Sequence, residues 1–203
     1  MKLLIPRKAV YRLSLYQRSL QRLKDNRIPT VSSAALAQAA GVKSTQLRKD
    51  LAYFGQFGTR GLGYDVEELS AKITAVLGTE KLQPVILIGA GNLGSALLHY
   101  QGFAKQGFEI LAAFDQDKAA LKGHKLPVYG MDRLRTYIDE KRIKMAILTI
   151  PALAAQEVAN ELIAAGIQGI LNFSPVVLQV PKGVFVNNVD LAMELENLSY
   201  FIQ

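Results

Sequence analysis

Cysteine is absent from the 203 residues. That excludes disulfides, thiolate metal sites and redox sensing through a thiol. Histidine is almost as scarce: His99 and His124 stand apart in the sequence, which argues against a metal centre. No apolar run reaches the roughly 18 residues of a membrane span, so no membrane partner is expected. The start, Met1 to Arg7, lacks the apolar core and small-residue cleavage site of a secretory leader. These absences fit a cytoplasmic protein. Internal repeats and low-complexity segments are missing too.

Acidic residues are rare in one part of the chain only. Residues 1–63 carry twelve Lys/Arg against two acids, Asp25 and Asp50, whereas the rest carries twelve against fifteen. A basic module is thus joined to a mildly acidic one. That asymmetry is the footprint of a nucleic-acid-binding domain attached to a sensor or an enzyme, although a merely basic, solvated surface would leave the same trace. Half of the residues are hydrophobic, enough for a sizeable core, and the length allows one or two domains.

Apolar residues at Val10, Leu13, Leu20 and Leu23 predict a helix over 7–25. Ser32 or Ser33 caps a second helix to Ala40, which Gly41 stops; Ser44 caps a third to about Phe54. Leu36, Ala40, Val42 and Leu47 can pack the pair as a helix-turn-helix, with Ala37 allowing close approach. On the third helix Leu47, Leu51 and Phe54 share one face. The other presents Thr45, Lys49 and Ala52, flanked by Gln46, Arg48 and Tyr53. A recognition helix needs this mixture of hydrogen-bonding groups, cations and a small residue. Gln46 and Lys49 are candidates for base edges; Arg48 and Tyr53 suit base or phosphate. Gly55, Gly58, Gly61 and Gly63 are too dense for a helix and suit a hairpin wing, with Arg60 near its tip and fit to enter a minor groove. Asp50 faces partly inward and is expected to be an ion-pair partner. A helical hairpin with a charged outer face is the plainer alternative.

A fourth helix over 66–77 ends at Gly78, and a second domain starts at Gln83-Pro84. Strands are expected at 85–89, 110–114, 145–150, 169–173 and 184–186, and helices at 93–104, 133–140 and 152–165. Such alternation predicts an α/β fold with a doubly wound parallel sheet. Gly89-Ala90-Gly91-Asn92-Leu93-Gly94 is a GxGxxG that leaves an apolar strand and opens a helix, as a dinucleotide-binding turn requires. Gly89 permits the turn, Gly91 admits the pyrophosphate, and Gly94 lets helix and sheet close up. Asp115 ends the second strand, where its carboxylate would accept ribose hydroxyls and repel a 2′-phosphate; Asp117 is a weaker candidate. NAD(H) is the expected ligand, with FAD and coenzyme A as alternatives. Little chain remains for a substrate domain. His99 and His124 are read as surface or packing residues, so no catalytic residue and no enzyme is expected, with a small NAD-dependent oxidoreductase as the rival. Residues 191–202 form an amphipathic helix whose apolar stripe, at 191, 195, 198, 201 and 202, needs a partner.

The runs Gln46 to Gly55 and Gly58 to Tyr64, with Leu93 to Leu97, Tyr100 to Phe103, Gly166-Ile167 and Gly169 to Pro175, resemble the Rex family of redox-sensing transcriptional repressors over essentially the whole chain. The resemblance implies an N-terminal winged helix-turn-helix domain (1–78), a C-terminal Rossmann-type NAD(H)-binding domain (79–188) and a helix swapped between subunits (189–203) that packs on the partner's N-terminal domain. It implies a homodimer on an inverted-repeat operator in double-stranded DNA, released by NADH, with NAD⁺ competing and leaving DNA binding intact. It also implies a redox-coupling triad of Arg18, Tyr100 and Asp190 near the nicotinamide. Some members carry an aromatic residue after the Asp; here Leu191 stands there.

Overall fold

The computed structural model describes residues 5–59, 61–117 and 125–202. Arg60 and His124 lie outside them. The chain divides into two compact units, residues 1–81 and 82–203.

The first unit is helical. Helix α1 (Arg7–Asp25) starts after Pro6, whose ring presets the backbone and whose missing N–H is not needed there. Its inward stripe is Ala9, Leu13, Tyr16 and Leu20; Val10, expected on that stripe, is exposed, because Ala9 rather than Val10 completes the heptad. A two-residue strand β1 (Thr30–Val31) leads to α2 (Ser33–Ala39), capped by Ser32, whose side chain accepts the Ala35 N–H. After Gly41, in the left-handed region at φ +68°, α3 (Ser44–Ala52) begins. Ser44 is its first helical residue and Lys43 the cap, so the expected Ser44 cap is not formed. Strand β2 (Tyr64–Asp65) pairs antiparallel with β1, and Asp65 caps α4 (Val66–Leu77) by accepting the Glu68 N–H. Gly78, at φ +69°, ends α4 as expected. Leu13, Tyr16 and Leu20 meet Leu36, Leu47, Leu51, Leu69 and Ile73 in one core.

Asp50 is fully buried in this unit. Its carboxylate receives Arg12 Nε at 2.5 Å, Arg12 Nη2 at 2.7 Å, the Tyr16 hydroxyl at 2.7 Å and Gln46 Nε2 at 2.8 Å. The inward-facing ion pair expected of it is therefore present, and it ties α3 to α1. Burial alone would push the Asp50 carboxyl up, but the hydrogen bonds from Arg12, Tyr16 and Gln46 outweigh it and hold the group below its ordinary value. Burial and the bond to Asp50 push the Tyr16 phenol far up.

The second unit is a six-stranded parallel sheet: β3 (Gln83–Ile88), β4 (Phe108–Asp115), β5 (Val128–Gly130), β6 (Met145–Leu148), β7 (Gly169–Asn172) and β8 (Phe185–Asn188). Their order is β5-β4-β3-β6-β7-β8. The chain thus winds outwards from β3 in both directions, and the reversal between β3 and β6 opens a crevice at their carboxyl ends. Helices α7 (Leu134–Lys141) and α8 (Ala152–Ala164) cover one face over Ile86, Ile88, Phe114 and Leu148. The short helices α5 (Asn92–Leu98) and α6 (Gly102–Lys105) lie with Val85, Leu87, Ala113 and Ile147 on the other. Two expectations need correction. The single helix over 93–104 is broken at His99–Gln101, where α5 ends and Gly102 restarts the chain. Strand β5 was not foreseen; it is short and half-buried, without a marked apolar run. Helix α9 (Leu191–Phe201) ends the chain, with Asp190 as its cap.

Replacing Asp50 with alanine would strip Arg12 and buried Tyr16 of their shared acceptor. A loss of about 3 kcal/mol is expected, read by urea denaturation at neutral pH. In the unmodified protein the unfolded carboxyl titrates near 3.8 and the folded one lower. The contribution is therefore complete above that ordinary value and is lost as pH falls through the folded value. The stability difference between native protein and the alanine variant should shrink along that acid limb.

Candidate functional site

The turn after β3 is built around close backbone approaches. Gly89 has φ +96°, and a Cβ there would meet the Ile150 side chain at 2.7 Å and the Thr149 carbonyl at 2.8 Å. A Cβ on Gly94 would lie 1.8 Å from the Gly89 carbonyl oxygen. Only hydrogen fits at either place, and α5 can therefore start directly over the strand end. Gly91 differs: a Cβ there would meet nothing within 4 Å. Its glycine is not required by the protein's own packing, which is what a cradle for a closely approaching ligand demands.

Asp115 ends β4 beside this turn. One carboxylate oxygen accepts the Ala90 N–H at 2.6 Å, the other the Asp117 N–H at 2.9 Å. Each oxygen keeps a further lone pair for an incoming hydroxyl. Asp117, the alternative acid, is exposed and serves Asp115 through its backbone. A cleft of about 170 Å³ opens at the strand ends, lined by Gly89, Gly91, Asp115, Met131, Thr149 and Ile150 among others. Of the remaining turn residues, Ala90 is buried while Asn92 and Leu93 are exposed. The acid, the turn and the cleft fit an adenine dinucleotide: Gly89 and Gly91 would hold the pyrophosphate and Asp115 the adenosine ribose.

Thr149 was missed in the sequence. Its hydroxyl reaches the Gly89 carbonyl at 2.8 Å and the Ile88 carbonyl at 3.0 Å, pinning β6 to the glycine turn. Met131, Ile150, Pro151, Ala154 and Val158 in the cleft wall were missed as well. A weak signal existed for Thr149, a polar residue closing an apolar strand. Nothing comparable marks the apolar wall.

In the helical unit, Leu47 and Leu51 face the core, while Thr45, Arg48, Lys49 and Ala52 are exposed on the opposite side of α3. Arg48 Nη1 donates to Ser33 Oγ at 2.9 Å, which links the two helices at their outer surface. Gln46 is half-buried and gives one donor to Asp50; Tyr53 is half-buried at the helix end. The expected wing is a tight loop closed by paired hydrogen bonds between Thr59 and Gly63, N to O at 3.0 and 3.1 Å. A side chain on Gly58 would strike the Gly63 carbonyl at 2.4 Å, and one on Gly63 the Val31 carbonyl at 2.5 Å.

Arg18 is exposed on α1, in the first unit. Tyr100 and Asp190 belong to the second. Tyr100 is exposed between α5 and α6, its ring edge-on to Phe103 at 5.1 Å. The half-buried Asp190 accepts the N–H groups of Ala192 and Met193. His99 follows α5 at the surface, its Nδ1 2.7 Å from the Ser95 carbonyl. No group of metal-ligating side chains occurs among the described residues, and no described helix is long and apolar enough to cross a membrane.

Comparison with known proteins agrees with this two-part reading. A family model described as a CoA binding domain matches residues 80–176, and one described as a putative DNA-binding protein N-terminus matches residues 4–52. The redox-sensing transcriptional repressor Rex of Pelotomaculum thermopropionicum is 47% identical over 97% of this chain and 93% of its own length. That of Carboxydothermus hydrogenoformans is 47% identical over 98% of this chain and 97% of its own. Among solved structures, RSP in complex with β-NAD⁺ and operator DNA has a TM-score of 0.90 at 39% identity, covering 98% of this chain and 93% of that one. RSP in complex with β-NADH has a TM-score of 0.85 at 37% identity, covering 98% and 94%. These relatives are repressors, which sets the oxidoreductase reading aside. With identity of this order running through both units, the chain belongs to the Rex family of redox-sensing transcriptional repressors.

Proposed function

We propose that this chain acts as a homodimer on an inverted-repeat operator and leaves it when NADH rises relative to NAD⁺. The observation that carries the reading is Asp115, fixed by the Ala90 N–H at the mouth of the glycine turn, in a chain that also presents a cationic recognition helix. Support comes from the solved relatives, described in complex with β-NAD⁺ and operator DNA and with β-NADH. The winged-helix domain (1–78), the dinucleotide domain (79–188) and a swapped terminal helix (189–203) are the working divisions.

Arg48 and Lys49 supply the positive charge for phosphates and base edges, helped by Thr45, Gln46, Tyr53 and Arg60. Gly89 to Gly94 hold the pyrophosphate, and Asp115 selects against a 2′-phosphate. The bound dinucleotide contributes a charge difference: its nicotinamide ring is positive when oxidised and neutral when reduced. An apolar pocket for the nicotinamide would take the neutral ring without the cost of stripping water from a cation. If the released arrangement of the dimer owns that pocket, NADH draws the population towards it. Arg18, Tyr100 and Asp190, which match the family's triad, are assigned the coupling of ligand state to the reading heads. A small change in their spacing is enough, because two recognition helices must meet major grooves about 34–36 Å apart.

Selection of duplexes from a random DNA pool, run without ligand, with NAD⁺ and with NADH, tests the reading. An inverted repeat should be enriched in the first two arms and lost in the third; enrichment indifferent to NADH would refute redox control. Asp115→Ala should weaken NADH binding about tenfold while leaving NADPH binding little changed, a difference of about 1.4 kcal/mol measurable by calorimetry. Arg18→Ala should bind both operator and NADH yet stay on the operator when NADH is added. Full NADH sensitivity in that variant would remove Arg18 from the coupling.

A further inference from the structure

Asn172, at the carboxyl end of β7, is completely buried. A buried carboxamide is tolerated only with its hydrogen bonds made, and here they reach in two directions. On one side its Nδ2 donates to the Val176 carbonyl at 2.8 Å and shares a hydrogen with the longer contact to the Ser174 carbonyl at 3.2 Å, the amide having only two, while Oδ1 accepts the Ser174 N–H at 3.0 Å. Ser174 in turn donates its hydroxyl to the Ile150 carbonyl at 2.6 Å. Ile150 lines the cleft, next to Thr149, which grips the glycine turn. On the other side Nδ2 donates to Asn188 Oδ1 at 2.9 Å, and the Asn172 carbonyl accepts the Val189 N–H at 2.8 Å. Asn188 and Val189 run straight into Asp190, the cap of α9.

Helix α9 buries none of its residues against its own chain. Its direction therefore depends on how residues 188–190 are held. Asn172 holds them, and the same side chain holds the loop that fixes the cleft wall. Aspartate has the shape but no donors, and leucine has neither donors nor acceptor.

We propose that Asn172 is a positioning residue that ties the cleft wall at Ile150 to the root of α9 at Asp190, so that occupation of the cleft by NADH is passed to the terminal helix. The proposal rests on the redox-repressor reading above. It gives Asn188 a role as well: as the exposed partner of Asn172, it supplies the side-chain link, which can be cut without opening the core while the main-chain bond from Val189 stays.

The test uses full-length protein and the inverted repeat obtained by selection. For native protein, Asn188→Ala and Asn172→Asp, operator affinity is measured without ligand and with saturating NADH, along with NADH affinity and thermal midpoint. Asn188→Ala should fold, bind ligand-free operator and bind NADH within threefold of native protein. The factor by which NADH weakens operator binding should fall at least fivefold. Asn172→Asp should show the same loss of coupling together with a lower midpoint. An Asn188→Ala protein that keeps the full NADH effect overturns the proposal, whatever its midpoint, because a merely structural role moves stability and not that factor. Native protein indifferent to NADH overturns the redox reading itself, and this proposal with it.

Discussion

The absence of a side chain at Gly94 is the constraint on which the ligand-binding unit depends. Its α-carbon lies so near the Gly89 carbonyl that any Cβ would overlap it. That approach brings α5 down onto the end of β3, and everything around the cleft takes its place from there. The turn between them presents the Ala90 N–H, which fixes the Asp115 carboxylate, and the Gly89 carbonyl, which receives Thr149. Strands β4 and β6 are thus pinned to the same turn from both sides, and the cleft mouth becomes a rigid ring of backbone and short polar groups. A ligand that meets a site already arranged does not have to order it on binding.

The helical unit solves a different problem. The helix proposed as its reading surface, α3, has nine residues and is too short to be stable by itself. Leu47 and Leu51 attach it to the core through apolar contact, which fixes distance but not rotation. The charged and hydrogen-bonded cluster around Asp50 adds direction: three donors from Arg12 and Tyr16 on α1 converge on one carboxylate of α3 and set its rotation about its own axis. The exposed cations Arg48 and Lys49 inherit that orientation.

What could be read in the sequence was whatever rests on local pattern. The GxGxxG after an apolar strand, the acid closing the next strand, the Gly78 stop and the inward Asp50 all follow from residue type and spacing. The limits came where tertiary contacts decide. Strand β5 has no run of its own and exists because β4 offers it an edge. The break between α5 and α6 falls at His99–Gln101, just ahead of Gly102, where the Tyr100 ring lies so close that a Cβ would meet it at 2.3 Å. Val10 and Ala9 are adjacent, and apolarity favoured the wrong one because packing rewards position over hydrophobicity. Ser44 is a good cap by type, yet the backbone turns into the helix one residue earlier. The apolar cleft wall, from Met131 to Val158, is assembled from loops and helix starts far apart in the chain.

Helix α9 carries Leu191, Met193, Leu195, Leu198, Tyr200 and Phe201 on its surface and buries none of them against its own chain. Within this chain, then, apart from the edge-on contact of the Tyr200 and Phe201 rings, exchanging one of these side chains for another alters little packing. On the proposed swapped arrangement, the pressure on their size and shape comes from the partner's surface. Substitutions in this stretch should be judged against the surface that covers it, and correlated changes across related sequences would trace that surface better than the helix traces itself.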